Sequence, residues 1–178
     1  MREWLVASAL VEAEGALLLV RNERRGGFSD WSTPGGVIDA DDHNVLTGLT
    51  REVEEETGLR VTAWEGPVYE VRAVAQDMGW RLHAEVYRAL AFEGDLRVAD
   101  PDGIVVEAAF VARPACADRL AGGARWVWEP LSEWIVERWG PDAARGYAYD
   151  VRGTRRDDLD VHRTSVAAGP VVPTSTIP

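Results

Sequence analysis

The chain has 178 residues, of which 46% are hydrophobic, and both values are typical of one globular domain. Its formal net charge is −11, from 30 acidic and 19 basic residues. This charge argues against a nucleic-acid polymer as a partner, because phosphate neutralisation needs clustered Lys and Arg. The single cysteine, Cys116, excludes an internal disulfide, and no segment reaches the length of a membrane span.

The first elements of the chain are predicted to be strands. Residues 4–11 and 16–20 are apolar runs, and we expect them to form a hairpin. The first run is short and has no small-residue cleavage pattern, so we expect no signal peptide, no membrane partner and a cytoplasmic location. A polar loop over residues 21–30 leads to Trp31-Ser32-Thr33-Pro34-Gly35-Gly36, a turn whose backbone can approach a ligand closely.

Residues 44–57 show the periodicity of a helix that buries one face. Four apolar residues fall within an arc of about 100°, which is wide enough for a core-facing stripe; they are Val45, Leu46, Leu49 and Val53. Gly58 is expected to end the helix in the left-handed conformation. The predicted helix therefore has a defined buried face and a defined end.

Three glutamates lie together beside that stripe. Glu52, Glu55 and Glu56 are related as i, i+3 and i+4, so their carboxylates cluster and repel one another. Arginines and solvent could screen them as an ordinary acidic surface. Alternatively, they could bind Mg²⁺ or Mn²⁺, which prefer hard oxygen ligands. The helix by itself leaves both interpretations open.

The turn and the helix together resemble the box of the Nudix hydrolases. That box reads G-x5-E-x7-R-E-U-x-E-E-x-G-U, where U is aliphatic, and usually follows a W-x-x-P-G-G turn. The matching residues are Gly36, Arg51-Glu52, Val53, Glu55-Glu56 and Gly58-Leu59. The resemblance implies an α/β fold, the family's α/β/α sandwich around a mixed β-sheet, over residues 1–140, with a C-terminal extension at 141–178.

The box departs from the family pattern at its first glutamate. Asp42 stands at that position, and eight residues separate it from Arg51 where the pattern has seven. We expect the extra residue to lie in the loop at residues 39–44, where an insertion costs least. This weakens any role for Asp42 and leaves the geometry of the three glutamates unchanged.

The remaining elements follow from apolar patterning. The predicted strands are residues 60–64 and 68–74, broken by Gly66-Pro67, then 80–92 and 104–111; the predicted helices are 114–120 and 131–139, the latter starting at Pro130. The alternating pattern predicts a hairpin formed by residues 147–151 and 159–164. An isolated hairpin is only marginally stable, so it must pack against the domain or a second subunit. Residues 167–178 are predicted to be a flexible tail.

The resemblance implies a metal-dependent hydrolase that cleaves a diphosphate linkage in a nucleoside diphosphate derivative, a small molecule, by attack of water on phosphorus. The implied metal ligands are the Gly36 carbonyl, Glu52, Glu55 and Glu56, for Mg²⁺ or Mn²⁺. Relatives often take one more carboxylate from a downstream loop, and the candidates are Asp100, Asp102 and, as first choice, Glu107.

The catalytic residues that we predict are Glu52, Glu55, Arg51 and Glu107. Glu52 or Glu107 would accept the proton of the attacking water, and Arg51 would orient a glutamate.

The predicted substrate contacts are Trp31, Arg72 and Arg81, although Trp31 could equally pack over the turn. Arg24 and Arg25 either meet substrate phosphate or are solvated. Many relatives are dimers, which makes a homodimer a candidate assembly. Two other functions stay open: a Nudix-fold module that senses a nucleotide without hydrolysing it, and an acidic interaction domain.

Overall fold

The computed structural model describes residues 1–168, which form ten strands and three α-helices. The strands are β1 (Arg2–Leu10), β2 (Glu12–Ala13), β3 (Ala16–Arg24), β4 (Phe28–Ser32), β5 (Gly35–Val37), β6 (Arg60–Ala75), β7 (Trp80–Glu93), β8 (Val105–Ala112), β9 (Arg145–Arg152) and β10 (Asp160–Ala168). The helices are α1 (Val45–Thr57), α2 (Arg113–Leu120) and α3 (Arg125–Glu137). No helix in the described range is long and apolar enough to cross a membrane.

The strands form two sheets. The larger has six strands in the order β10-β9-β6-β7-β1-β5, and it is mixed because β1 lies parallel to β7 and β6 lies parallel to β9. The smaller sheet has the order β2-β3-β4, with β8 paired to the other edge of β3. The prediction of a mixed sheet is confirmed.

The predicted hairpin between the first two strands is wrong. β1 pairs with β5 and β7 in the larger sheet, whereas β3 pairs with β2, β4 and β8 in the smaller one. The chain changes sheet near Val11, whose carbonyl accepts the Leu18 N–H at 2.8 Å. The short turn therefore joins β2 to β3, and β1 is free to add to a sheet built from distant residues.

Two further boundaries differ from the prediction. β6 is one strand that keeps its pairing with β7 on both sides of Gly66-Pro67, with a register shift between Glu65 and Tyr69. Helix α3 begins five residues before Pro130, which lies inside the helix and is buried. The buried side chains of Leu131 and Trp134 follow this proline on the same helix, so packing holds a helix that a proline would otherwise interrupt.

Two apolar cores lie on opposite sides of the sheets. One packs Leu49 and Val53 of α1 against Ala7 and Ala9 of β1. The other holds Leu120 of α2, Leu131 and Trp134 of α3, and the facing residues of β6, β7 and β9. Helices thus cover both sides of the sheet layer, which confirms the α/β/α sandwich.

The C-terminal strands form a hairpin that extends the larger sheet. β9 and β10 pair antiparallel, and β9 lies parallel to β6 from Tyr69 to Ala75. On α3, Glu133 accepts the Tyr147 hydroxyl and Glu129 accepts the Tyr149 hydroxyl, each at 2.8 Å. Ala167 and Ala168 end β10, and the rest of the predicted tail lies outside the described residues.

Candidate active site

Helix α1 presents the three glutamates in a fixed orientation. Asn44 caps its start, because the side-chain oxygen accepts the Thr47 N–H at 2.9 Å. Gly58 ends it with φ +75°, as expected. Leu49 and Val53 are fully buried beneath the helix and set its rotation. Glu52 and Glu56 therefore face the turn at Gly35 and Gly36, and Glu55 lies one turn from Arg51, which donates to it.

Glu56 is the most buried of the three carboxylates. Its side chain accepts the Gly35 N–H at 2.8 Å, and its residue is 9% exposed. Burial raises its pKa to about 8, against the lowering effect of the Gly35 N–H. The charges of Glu52 and Asp100 add to the rise, whereas the charge of Arg24 opposes it. An uncompensated negative charge is therefore costly at this position.

Glu52 lies directly against the turn. A side chain on Gly36 would clash with the Glu52 carboxylate, with its Cβ only 2.8 Å from Glu52 Cδ. Burial raises the pKa of Glu52, and the nearby charges of Glu55 and Asp102 raise it further, against the lowering effect of Arg51. The glycine is thus required for the close approach of this carboxylate to the backbone.

Arg51 links the glutamates to the loop before the helix. Its Nη1 donates to Glu52 Oε1 at 2.7 Å and to Glu55 Oε2 at 3.2 Å. Its Nη2 donates to Asp42 Oδ2 at 3.1 Å. One guanidinium therefore fixes the positions of two box carboxylates, which is the arrangement needed for an orienting role.

Asp42 reaches Arg51 despite the extra residue before the helix. Its side chain also accepts the Asp39 N–H at 2.9 Å, and the bond from Arg51 lowers its pKa. The carboxylate lies so close to the helix that a Cβ on Gly48 would be 2.5 Å from Asp42 Oδ2. The loop accommodates the extra residue, and Asp42 still takes part in the hydrogen bonds that Arg51 makes with the glutamates.

The three downstream carboxylates lie in different surroundings. Glu107 lies on β8 opposite Arg21 and accepts its Nε at 2.9 Å. Asp100 organises its own loop by accepting the N–H groups of Asp102, Ile104 and Val105 at 2.8–3.0 Å. The charges of Asp100 and Asp102 raise the pKa values of Glu56 and Glu52, respectively. The structure thus brings Asp100 and Asp102 near the box glutamates and pairs Glu107 with an arginine.

A cleft of about 890 Å³ opens beside the turn. Its polar lining includes Arg24, Asp30 and Thr33 next to Gly35 and Gly36. The rest is largely apolar, with aromatic and aliphatic side chains from both sheets, α3 and the hairpin: Phe28, Trp31, Leu82, Ala84, Trp126, Trp128, Leu159 and Val161. The cleft can therefore bind a molecule with one charged end and one apolar end.

Of the three predicted substrate contacts, Trp31 lines this cleft and the two arginines do not. The Arg119 guanidinium lies 4.8 Å from the centre of the Trp31 ring. On β6 and β7, neighbours of Arg72 and Arg81 such as Val71 and Leu82 line the cleft. Side chains alternate along a strand, so Arg72 and Arg81 lie on the opposite face of the sheet. Arg81 forms an ion pair there with Glu3.

A divalent cation fits the donor chemistry of this site. Three carboxylates and a backbone carbonyl are ligands that Mg²⁺ and Mn²⁺ prefer. Burial raises the pKa values of Glu52 and Glu56, and a cation beside them would favour their ionised form. Among residues 1–168, no three His, Cys, Asp or Glu side chains are grouped closely enough to hold a metal ion. Arg51 lies between Glu52 and Glu55 in this arrangement and provides the positive charge.

Glu56→Gln is expected to stabilise the metal-free protein at high pH. The pKa of Glu56 is raised in the folded state, so its contribution to stability is intact below about pH 4.5 and is lost as the pH rises through about 8. Glutamine keeps an oxygen for the Gly35 N–H and carries no charge. With a chelator present, its Tm should exceed the wild-type value by roughly 5 °C at pH 8.5 and by much less at pH 5.

The matched control is Glu54→Gln, since Glu54 is exposed on the same helix. It should leave Tm nearly unchanged at both pH values. A Tm difference for Glu56→Gln that does not vary with pH would contradict the raised pKa assigned to this buried side chain.

Comparison with known proteins gives consistent matches. The model of the NUDIX domain matches residues 1–127. A "MutT-like protein" from Streptomyces ambofaciens is 45% identical over 56 residues, which are 32% of this chain and 34% of that protein. This match therefore spans about a third of the relative's length.

Solved structures show the same fold. A MutT NUDIX hydrolase from Burkholderia pseudomallei is 27% identical, with a TM-score of 0.56, over 64% of this chain and 86% of that one. A MutT protein from Bacillus halodurans is 21% identical, with a TM-score of 0.65, over 90% and 97% of the two chains. The family match ends within the first turn of α3, so the C-terminal hairpin lies beyond it.

Proposed function

The chain belongs to the NUDIX family, and from this premise we propose that it is a Nudix pyrophosphohydrolase that cleaves the diphosphate linkage of a nucleoside diphosphate derivative. The observation that carries the proposal is the position of Glu52 and Glu56 against the Gly35–Gly36 turn, which lines the cleft. Glu55 is tied to Glu52 through Arg51. The proposed partner is a small molecule, and the proposed location is the cytoplasm.

The polar end of the cleft suits the diphosphate. Glu52, Glu55, Glu56 and the Gly36 carbonyl would hold Mg²⁺ or Mn²⁺, which when bound neutralises phosphate charge and lowers the pKa of water. Arg24 lines the cleft and acts electrostatically on Glu56, so its guanidinium can contact a phosphate oxygen. Arg24 now pairs with Asp30, and a phosphate would compete for that cation.

Glu52 is the proposed acceptor of the water proton. As the water oxygen bonds to phosphorus, its proton passes to the Glu52 carboxylate. The bond from that phosphorus to the bridging oxygen breaks, and the leaving phosphate takes the electron pair. Arg51 holds Glu52 and Glu55 in place during this step. Glu107 remains a second candidate base, and it would first have to leave Arg21.

The apolar end of the cleft suits the non-phosphate part of the substrate. Trp31 is backed by Arg119 on one side and lines the cleft, so its ring is available for stacking on a base. The aromatic residues Phe28, Trp126 and Trp128 lie in the same cleft. This lining favours a nucleoside over a purely charged polyphosphate.

A substrate panel tests the proposed function. Nucleoside triphosphates, ADP-ribose, dinucleoside polyphosphates and nucleotide sugars would each be incubated with Mg²⁺, with Mn²⁺ and with a chelator, and the products separated by chromatography. We expect one class to be hydrolysed at its diphosphate, only when a divalent cation is present. If nucleotides bind in calorimetry but none is hydrolysed, the hydrolase proposal is overturned in favour of a nucleotide-sensing module.

A further inference from the structure

We propose that the C-terminal hairpin, through Leu159 and Val161, determines which substrates the cleft accepts. This inference rests on the proposed function, because it concerns the same cleft. Leu159 precedes β10 and Val161 lies on it; both are partly buried and line the cleft together with Trp126 and Trp128. Both residues lie beyond the segment that matches the family domain.

Sheet order places the hairpin at the far end of the cleft from the glutamates. In the larger sheet, β5 with Gly35 and Gly36 is one edge and β10 is the other. The cleft crosses the strands between them, since Ser8 of β1, Ala84 of β7 and Val71 of β6 also line it. A substrate whose diphosphate lies at the β5 edge therefore extends its other end towards β10.

Hydrogen bonds hold the hairpin firmly in this position. Arg125 Nη1 donates to the Val161 carbonyl at 2.9 Å, and its other nitrogens bind Glu129. The Gly153 N–H donates to Asp77 at 2.9 Å, which joins the hairpin loop to the turn between β6 and β7. A third bond, from the Tyr149 hydroxyl to Glu129, joins the hairpin to α3. Leu159 and Val161, which form the hairpin wall of the cleft, are thus held in place by three separate contacts. A change in side-chain size on this wall should change the space available to the ligand.

The chemistry of the wall selects an uncharged, flat group. Leu159 and Val161 present only aliphatic surface, and Arg125, which also lines the cleft, is engaged by Glu129 and the Val161 carbonyl. A second phosphate or a free sugar at this end would lose its hydration and could gain a charged partner only by displacing Glu129 from Arg125. A heterocyclic base can instead pack between the aliphatic wall and the tryptophans, and its size decides how well it fits.

The test measures binding separately from hydrolysis. The probes are ADP and UDP, which carry a large and a small base, and their Kd values would be measured by calorimetry in Mg²⁺. Leu159→Trp and Val161→Trp fill the far end, so we expect the Kd of ADP to rise about tenfold and that of UDP to rise less. The matched control is Val166→Trp, because Val166 lies exposed on β10 and does not line the cleft.

Leu159→Ala provides a second variant that does not require extra space. It should raise the Kd of ADP about threefold or more and so reduce the ratio of the UDP Kd to the ADP Kd. Unchanged ratios in folded Leu159 and Val161 variants would overturn the inference, as would a wild-type protein that binds neither probe. If wild type hydrolyses its substrate but the ratios do not move, only this inference fails; if the ratios move without hydrolysis, only the proposed hydrolase function fails.

Discussion

Glu52→Gln is expected to lower kcat by about a thousandfold while leaving the protein folded. Glutamine preserves the size of the side chain beside Gly36 and still offers an oxygen to Arg51. It removes the negative charge and the ability to accept a proton from water. The expected measurement is single-turnover hydrolysis of the best substrate in the panel, together with Tm as a check of folding.

Glu54→Gln is the control for this result, since Glu54 lies two residues away on the same helix and pairs with the exposed Arg60. Its kcat should stay within about twofold of wild type. Equal activity of the Glu52 and Glu54 variants would exclude Glu52 from the chemistry. Attention would then turn to Glu107, the second candidate base, and to Asp102, whose charge acts on the same site.

Gly35→Ala should cost about 3 kcal/mol or more of folding stability, which corresponds to a fall in Tm of about 10 °C. Gly35 has φ +137°, a conformation that an alanine adopts only with strain. Its Cβ would lie 2.8 Å from Ser8 Cα and would collide with the Ala7 carbonyl, and both groups belong to the backbone of β1. The collision cannot be relieved without moving β5 away from β1.

Gly15→Ala separates the two causes of this loss. Gly15 also has a positive φ, +80°, but nothing lies within 4 Å of an added Cβ. We expect a cost of about 1 kcal/mol from backbone strain alone. Thermal or urea unfolding of both variants would measure the difference, and equal losses would show that the close approach of β5 to β1 does not contribute.

The parts of the fold that could be predicted are those set by local sequence. The helix at residues 44–57 was predicted with its end because apolar spacing and Gly58 act within a few residues, whereas the role of Asn44 as its N-cap comes from the structure. The hairpin between the first two strands was wrong, because strand pairing joins residues far apart in sequence. β1 pairs with Trp80 and the residues after it, and nothing in its own sequence identifies that partner.

In the candidate site, too, local sequence predicts the features within one helix but not the contacts between distant segments. The spacing of Glu52, Glu55 and Glu56 already placed them on one side of the helix. Asp42 contacts Arg51 because of the conformation of the loop between them, and the extra residue in that loop gave no way to predict this conformation. Among the downstream carboxylates, an Asp-Pro-Asp-Gly turn directly before β8 was the signal for Asp100 and Asp102. For Arg72, strand alternation predicts that its side chain lies on one face of the sheet but does not say which face carries the cleft. The structure places the cleft on the opposite face.

The pairing of β9 with β6 also protects the protein from self-association. β6 is 16 residues long, and one of its edges is covered from Tyr69 to Ala75 only by the C-terminal hairpin. A chain shortened to the family domain would expose unpaired N–H and C=O groups along this apolar strand, which is a template for intermolecular β-pairing. Truncation near residue 140 is therefore expected to yield aggregates rather than a smaller soluble enzyme, and hydrolase activity measured on such a fragment would underestimate the whole chain.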